Sequence, residues 1–121
     1  MRKGRKASGG RYKSRRKTRL HERPGITRIV KLRPTKKKKL RVRGGNEKYV
    51  LLSCEEANIL DLKGKGKKAK IKGVIETKAN RFWARQNRLV KGAVIDTDLG
   101  KAKITNRPGQ EGCINAVLVK E

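Results

Sequence analysis

Residues Gly92–Gly112 read GAVIDTDLGKAKITNRPGQEG and hold two short apolar segments that partly alternate with polar residues. Such alternation places apolar side chains on one face of an extended strand. The stretch predicts strands at Ala93–Thr97 and Lys101–Thr105, with Asp98–Gly100 as the hairpin turn between them. The Pro108–Gly109 pair predicts a type II turn, in which proline presets one φ angle and glycine supplies a positive one.

The same pattern continues on both sides of this stretch. In Lys68–Thr77, Ala69, Ile71 and Ile75 are expected to share one face, and Gly73 marks either a bulge or a close backbone approach. Many short strands with glycine-rich turns indicate a mainly β fold, a small sandwich or barrel-like antiparallel domain. The other predicted strands are Lys39–Arg43, Tyr49–Cys54, Cys113–Val119 and, more weakly, Ile26–Leu32.

One segment, Asn80–Val90, has helical periodicity, and Asn80 is a suitable N-cap. This predicts a single short helix in the domain. Helical spacing sorts the side chains into an apolar face of Ala79, Phe82, Trp83 and Val90 and a basic stripe of Arg81, Arg85 and Arg88.

The charge of the chain is strongly positive and unevenly spread. Its 121 residues include 36 Lys and Arg against 10 acids, a formal net charge of +26, and residues 1–48 hold 21 of the basic residues with two acids. A dense polyanion must neutralise so large a field, so nucleic acid is the expected partner. The charge excludes a typical metabolic enzyme surface, and the lack of a long apolar run argues against a membrane partner.

The apolar residues divide the chain into a tail and a domain. Of all Leu, Ile, Val and Phe residues, only Leu20 lies among the first 25 positions. Such a segment cannot bury enough apolar surface to offset a backbone ordering entropy of about 1–2 kcal/mol per residue. We therefore predict a basic, extended N-terminal tail over residues 1–25 that is disordered in isolation and binds RNA, a basic connecting segment over 26–38 and a β-rich domain over 39–121.

Two turns of the domain are candidate RNA contacts. In RVRGGN (Arg41–Asn46), strand alternation would place both arginines on one face about 6–7 Å apart, a spacing comparable with successive phosphates. The two glycines would let backbone amides approach an anion. The same sequence is also compatible with a simple turn beside a solvent-exposed strand, with no role in binding. In Arg107–Gln110, the arginine and the glutamine could project together, although a simple strand connection explains this segment equally well.

The tail cations suit phosphate neutralisation, and Tyr12 suits base stacking. The predicted RNA-binding residues are Arg2, Lys3, Arg5, Lys6, Arg11, Tyr12, Lys13, Arg15, Arg16, Lys17 and Arg19 in the tail, and Arg41, Arg43, Gly44, Gly45, Asn46, Lys48, Arg107, Gly109 and Gln110 in the domain.

Catalysis and metal binding find little support in the sequence. His21 is the single histidine and lies among cations, a poor setting for a general base. Cys54 and Cys113 lack the spacing of a zinc site and are expected to be small buried hydrophobes. Asp96 and Asp98 could share a strand face, but carboxylates beside a hairpin are usually solvated. We predict no enzyme, no metal, no cofactor and no small-molecule substrate.

Three segments together resemble one known family. RVRGGNEKY (Arg41–Tyr49), the Gly92–Gly112 stretch and INAVLVKE (Ile114–Glu121) are similar to the archaeal and eukaryotic-type small-subunit ribosomal protein eight family. The tail sequence SGGRYKSRRK (Ser8–Lys17) resembles that family's basic opening, whereas residues 20–38 match it poorly. The long insertion of the eukaryotic members is missing, so the chain resembles the archaeal form.

The resemblance implies a β-rich domain on the body of the small ribosomal subunit and a tail threaded into ribosomal RNA. It further implies a cytoplasmic location in the ribosome, other small-subunit proteins as neighbours and no enzymatic activity. One alternative is a ribosome-assembly factor that shares the C-terminal domain, although such a factor has a much longer N-terminal region. A chromatin protein is another alternative, and an enzyme ranks last.

Overall fold

The computed structural model describes residues 4–13, 16–25, 27–61 and 64–119. Within these ranges the chain is mainly β, as predicted, with one short α-helix, α1 (Arg81–Arg85), and 3-10 turns at Leu20–Glu22 and Arg43–Gly45. The strands are β1 (Lys31–Leu32), β2 (Lys36–Arg41), β3 (Glu47–Cys54), β4 (Glu56–Leu60), β5 (Gly66–Glu76), β6 (Val94–Thr97), β7 (Gly100–Ile104) and β8 (Asn115–Leu118).

Five strands form a closed barrel in the order β4-β5-β6-β7-β8. Neighbouring strands along the chain pair antiparallel, and the barrel closes through a parallel pairing of β4 with β8, in which Ile59 lies opposite Ala116. The predicted hairpin is confirmed, since Thr97 pairs with Gly100 across a turn at residues 98–99. Of the two expected architectures the fold is the barrel, but it is not purely antiparallel, because its closing strands are distant in sequence and no hairpin joins them.

The remaining strands form a three-stranded sheet in the order β1-β3-β2. The central strand β3 is parallel to β1 and antiparallel to β2. One residue, Glu55, separates β3 from β4, and its carbonyl accepts a hydrogen bond of 2.8 Å from the Ile71 amide in the barrel. The sheet and the barrel are therefore directly connected through a single bend.

Aliphatic side chains fill the common core of the barrel and the sheet. Large and small residues face each other in the barrel, where Ile95 pairs with Ala102 and Ile104 pairs with Ala116, and these four are buried. Such alternation fits the narrow interior of a small barrel. Val30 joins the same cluster, so the predicted connecting segment contributes to the core.

The bulge predicted at Gly73 is confirmed, and it overturns the predicted position of Ile75. The register of β5 against β6 shifts between Ile71 and Gly73 and again between Val74 and Glu76. Each shift moves the following residues to the other face of the strand. Ile71 is therefore buried and Val74 packs against the core, whereas Ile75 is 48% exposed.

The strand predictions failed at three other places. Strand β4 was missed, because its sequence EANIL is short and starts directly after the preceding strand. The strand predicted at Lys39–Arg43 is shifted, since β2 runs from Lys36 to Arg41 across the predicted domain boundary at residue 39. Of the described residues in the predicted strand Ile26–Leu32, only Lys31 and Leu32 form a strand, and Ile26 itself lies outside the described residues.

The helix is shorter than predicted. The Asn80 side chain caps it by accepting a hydrogen bond of 2.9 Å from the Phe82 amide, as expected. Asn87 has a left-handed φ of 48°, and the Leu89 amide donates to the Val30 carbonyl at 2.9 Å. Pairing with the segment before β1 thus ends the helix, so Arg88 does not continue a helical stripe.

The predicted apolar face of the helix is only partly correct. Trp83 and Val90 are half-buried and Val90 packs against the core, but Ala79 is exposed and Phe82 is 52% exposed. Helical spacing had predicted an inward position for Phe82. Because α1 ends after only five residues, there is no continuous helical face to carry that side chain to the core.

Candidate nucleic-acid interface

The RVRGGN segment forms the turn between β2 and β3. Strand β2 ends at Arg41, and Arg43 already belongs to the 3-10 turn. The prediction that the two arginines share a strand face is therefore wrong. Both glycines have left-handed φ angles, 71° for Gly44 and 75° for Gly45. The Val42 amide donates to the Asn46 carbonyl at 2.7 Å and closes the turn.

The cations of this turn are available to an external anion. Arg41, Arg43 and Asn46 are exposed. The nearby Glu47 carboxylate is already paired with Lys39 Nζ at 2.6 Å. Within the described ranges neither arginine has an ion-pair partner.

The RPGQEG segment is a tight turn packed on β3. The Arg107 carbonyl accepts hydrogen bonds from the Gln110 amide at 2.9 Å and the Glu111 amide at 3.1 Å. The predicted type II turn is wrong, because Gly109 is not among the residues with a left-handed φ. Its glycine is required by close packing instead, since a Cβ there would lie 3.3 Å from the Arg28 carbonyl oxygen.

The two motifs meet in space although they are distant in sequence. Lys48 Nζ donates to Gln110 Oε1 at 2.6 Å, across 62 residues. The Leu51 amide donates to the carbonyls of Pro108 and Glu111, each at 3.2 Å. We call Arg41–Lys48 together with Arg107–Gln110 the paired-turn surface.

The described tail residues are all exposed and make local contacts. The Lys6 amide donates to the Gly10 carbonyl at 2.8 Å, and Lys6 Nζ lies 5.8 Å from the centre of the Tyr12 ring. An isolated bridge joins Arg5 to Arg11. Lys13, Lys17 and Arg19 are also exposed, whereas the predicted residues Arg2, Lys3 and Arg15 lie outside the described residues.

One tail cation is already paired within the chain. Arg16 donates two hydrogen bonds to the Glu22 carboxylate, at 2.7 and 2.6 Å. This contact, helped by the Arg19 amide, holds the pKa of Glu22 below its ordinary value. The stabilisation is therefore present above the ordinary glutamate pKa and is lost as the pH falls through the lowered one. Arg16 must exchange this partner before it can bind a phosphate.

Two cations beside the paired-turn surface were missed by sequence reasoning. Arg28 and Lys91 line a cleft of about 380 Å³ together with Arg107 and Gln110. Arg28 lies in the connecting segment and Lys91 follows the helix. No local pattern marks either residue, since the cleft exists only where three segments distant in sequence meet.

Among the described residues, the carboxylates and cysteines form no recognisable catalytic centre. Asp96 is half-buried in β6, while Asp98 lies in the hairpin turn and pairs with Lys72 Nζ at 3.5 Å. Across the described residues, no group of three or more His, Cys, Asp or Glu could hold a metal ion. The Cys54 thiol is buried, as predicted, and donates to the Glu56 carbonyl at 3.1 Å, whereas Cys113 is only half-buried.

A search for membrane-crossing segments gave a negative result. In the part of the chain that the structure describes, no helix has the length and apolar character needed to span a bilayer.

Comparison with known proteins gives consistent matches along the whole chain. Residues 1–119 match the family described as ribosomal protein S8e. The small ribosomal subunit protein eS8 of Methanocorpusculum labreanum is 47% identical over 96% of this chain and 94% of its own length. The proteins of the same name from Methanococcus aeolicus and Sulfurisphaera tokodaii are 42% and 46% identical, over 97% and 93% of this chain and 93% and 87% of their own lengths.

Proposed function

Because this chain belongs to the ribosomal protein S8e family and is a structural component of the small ribosomal subunit, we propose that it binds and stabilises small-subunit ribosomal RNA through its basic tail and its β domain. The family consists of structural proteins of the ribosome rather than enzymes. The location of this chain in the cytoplasmic ribosome follows from its membership of that family. The match covers tail and domain alike, which favours a ribosomal protein over an assembly factor similar only in its C-terminal part.

The observation that carries the proposal is the paired-turn surface. It holds exposed cations from two distant motifs, fixed relative to each other by the 2.6 Å hydrogen bond from Lys48 to Gln110. The guanidinium groups of Arg41, Arg43 and Arg107 have no carboxylate partner in the described part of the chain, although the Arg107 backbone amide donates to the Glu111 carboxylate at 3.5 Å. An arginine without an internal partner presents its planar fork of donors to phosphate oxygens.

The tail supports the same proposal through its charge and its exposure. Ten Lys and Arg residues lie within the first 19 positions, and none of the described tail side chains is buried. Cations so close together repel one another, and phosphates between RNA helices would relieve that repulsion. Recognition is expected to be mainly of RNA shape and backbone, because A-form helices hide their base edges in a deep major groove.

The test is the salt dependence of binding by the full chain to a small-subunit ribosomal RNA fragment. If about ten phosphates are neutralised, the logarithm of the affinity falls with the logarithm of the salt concentration at a slope of roughly −7 or steeper. Binding curves at several salt concentrations measure this slope. A slope near −2 would contradict the proposal, and equal binding to duplex DNA would favour the chromatin alternative.

A further inference from the structure

The cleft beside the paired-turn surface has the size of a small-ligand site. Three parts of the chain line it: Gly25, Thr27 and Arg28, residues 89–91, and the turn at 107–110. Its volume of about 380 Å³ is at the lower end of the range of roughly 300–1,000 Å³ that is typical of ligand pockets. The cleft can therefore accept one nucleotide but not a segment of RNA helix.

The walls of this cleft carry positive charge only. Arg28, Lys91 and Arg107 line it, and no acidic residue does. Throughout the described ranges, none of these three cations has an ion-pair partner. The nearby Glu111 carboxylate accepts a hydrogen bond of 2.9 Å from the Asn106 side chain. Three uncompensated cations around one concavity select an anionic ligand.

The floor of the cleft is apolar and firmly held. Half-buried Val90 packs against the core and presents the apolar surface of the cleft, while Leu89 and Pro108, which also line it, are fully buried and anchor its walls. Backbone hydrogen bonds fix both segments, since the Leu89 amide donates to Val30 and the Leu51 amide donates to Pro108. An apolar floor below charged walls matches a nucleotide, which has a flat base at one end and a phosphate at the other.

Building on the RNA binding proposed above, we propose that this cleft holds a single unpaired nucleotide of the RNA. Its base lies against Val90 and the glycine face of the turn, and its phosphate lies among Arg28, Lys91 and Arg107. Unpaired nucleotides are the positions at which RNA can place a base in a protein pocket, because a paired base is covered by its neighbours. The paired-turn surface would then bind the flanking backbone.

The experiment compares two RNA hairpins with the same stem, one fully paired and one with a single bulged nucleotide. Affinities are measured by fluorescence anisotropy at one salt concentration with the full chain. We expect the wild-type chain to bind the bulged hairpin about tenfold more tightly, because only an unpaired nucleotide can enter the cleft; tenfold in affinity corresponds to about 1.4 kcal/mol. In the variant Lys91→Ala/Arg107→Ala, the ratio of the two affinities should fall to about one.

The matched control is Arg81→Ala/Arg85→Ala, which removes the same charge from α1 outside the cleft. This variant should weaken both complexes equally and leave the ratio unchanged. Thermal unfolding followed by circular dichroism tests whether each variant is folded. If the double variant is not, Lys91→Ala alone serves, because this exposed side chain can be removed without disturbing the core.

Each outcome separates the cleft from the general RNA-binding proposal. Tight but equal wild-type binding to both hairpins would overturn the cleft proposal and leave RNA binding intact, whereas binding to neither would overturn both. If the variant Lys91→Ala/Arg107→Ala still prefers the bulged hairpin, the cleft proposal is also overturned. A polyglutamate peptide that displaces the bulged hairpin as well as unlabelled hairpin does would also overturn the cleft proposal, because the cleft would then select negative charge alone.

Discussion

Glycine has two different roles in the paired-turn surface and directly beside it. Gly44 and Gly45 have left-handed φ angles, which an L-residue adopts only at a cost. Gly112 has no such angle, but a Cβ there would lie 3.2 Å from the Tyr49 Cβ. The first role follows from backbone strain and the second from contact with another strand, so only the first was predictable from the Gly-Gly pair.

Substitution of Gly45 tests the strained backbone without a steric effect. Gly45 has a φ of 75° and open space where a Cβ would lie. Gly45→Ala should lower the free energy of unfolding by about 1–2 kcal/mol, the cost of the left-handed region for a residue with a Cβ. Urea denaturation measures the change.

The control for this prediction is Gly66→Ala, which also enters open space but without a left-handed φ. It should leave the stability unchanged or raise it by up to about 1 kcal/mol, because alanine reduces the entropy of the unfolded chain. Equal effects of the two substitutions would argue against the turn geometry described above.

At the scale of the element, β5 is the strand whose residues change face along its length. It pairs with β4 without a register shift over Gly66–Lys70 and has two shifts against β6. Gly73 lies between them, and the Asn87 side chain accepts a hydrogen bond from the Val74 amide at 3.2 Å. The bulged part of the strand is thus held by the loop after α1, and the alternation that begins at Lys68 cannot continue to Thr77.

Two isoleucines of β5 test this change of face. Ile71→Ala should lower the free energy of unfolding by about 2–5 kcal/mol, because it leaves a cavity in the barrel. Ile75→Ala should cost less than about 1 kcal/mol, since that side chain is 48% exposed. Chemical denaturation of both variants measures the two losses in free energy of unfolding. Similar losses would mean that β5 alternates without interruption and that Ile75 is buried like Ile71.

At the scale of the whole molecule, the chain separates charge from burial. The described residues before Arg28 are exposed, and the core cluster begins at Val30. Folding therefore depends on the barrel and the sheet, while much of the charge lies in a tail whose described residues contribute no side chain to the core. We expect the two parts to respond differently to truncation.

Removal of residues 2–19 should leave the fold intact and weaken RNA binding. The deleted segment carries ten Lys and Arg residues and no described side chain that is buried. The free energy of unfolding should change by less than about 0.5 kcal/mol, while the magnitude of the salt slope should fall by at least half because fewer counterions are released. An unchanged slope would show that the tail does not contact phosphates, and loss of the folded state would contradict the division into tail and domain.

The predictions that succeeded rest on local properties of the chain. The β class, the hairpin at Asp98–Gly100, the bulge at Gly73 and the cap at Asn80 each depend on residues close together in sequence. The predictions that failed depend on distant contacts. Phe82 was predicted to be buried because helical spacing places it on an apolar face, but pairing of the following residues with the Val30 segment ends the helix before it can form a continuous face.

The amino-acid sequence by itself determined the mainly β class and the uneven charge, since alternation and charge are properties of neighbouring residues. From these it predicted a basic tail and a polyanionic partner. Tertiary structure alone decided that β4 closes a barrel against β8, that Lys48 meets Gln110 and that Arg28 and Lys91 share a cleft with Arg107. Each of these joins segments far apart along the chain. Such contacts are selected by the packing of the whole core, which no local pattern encodes.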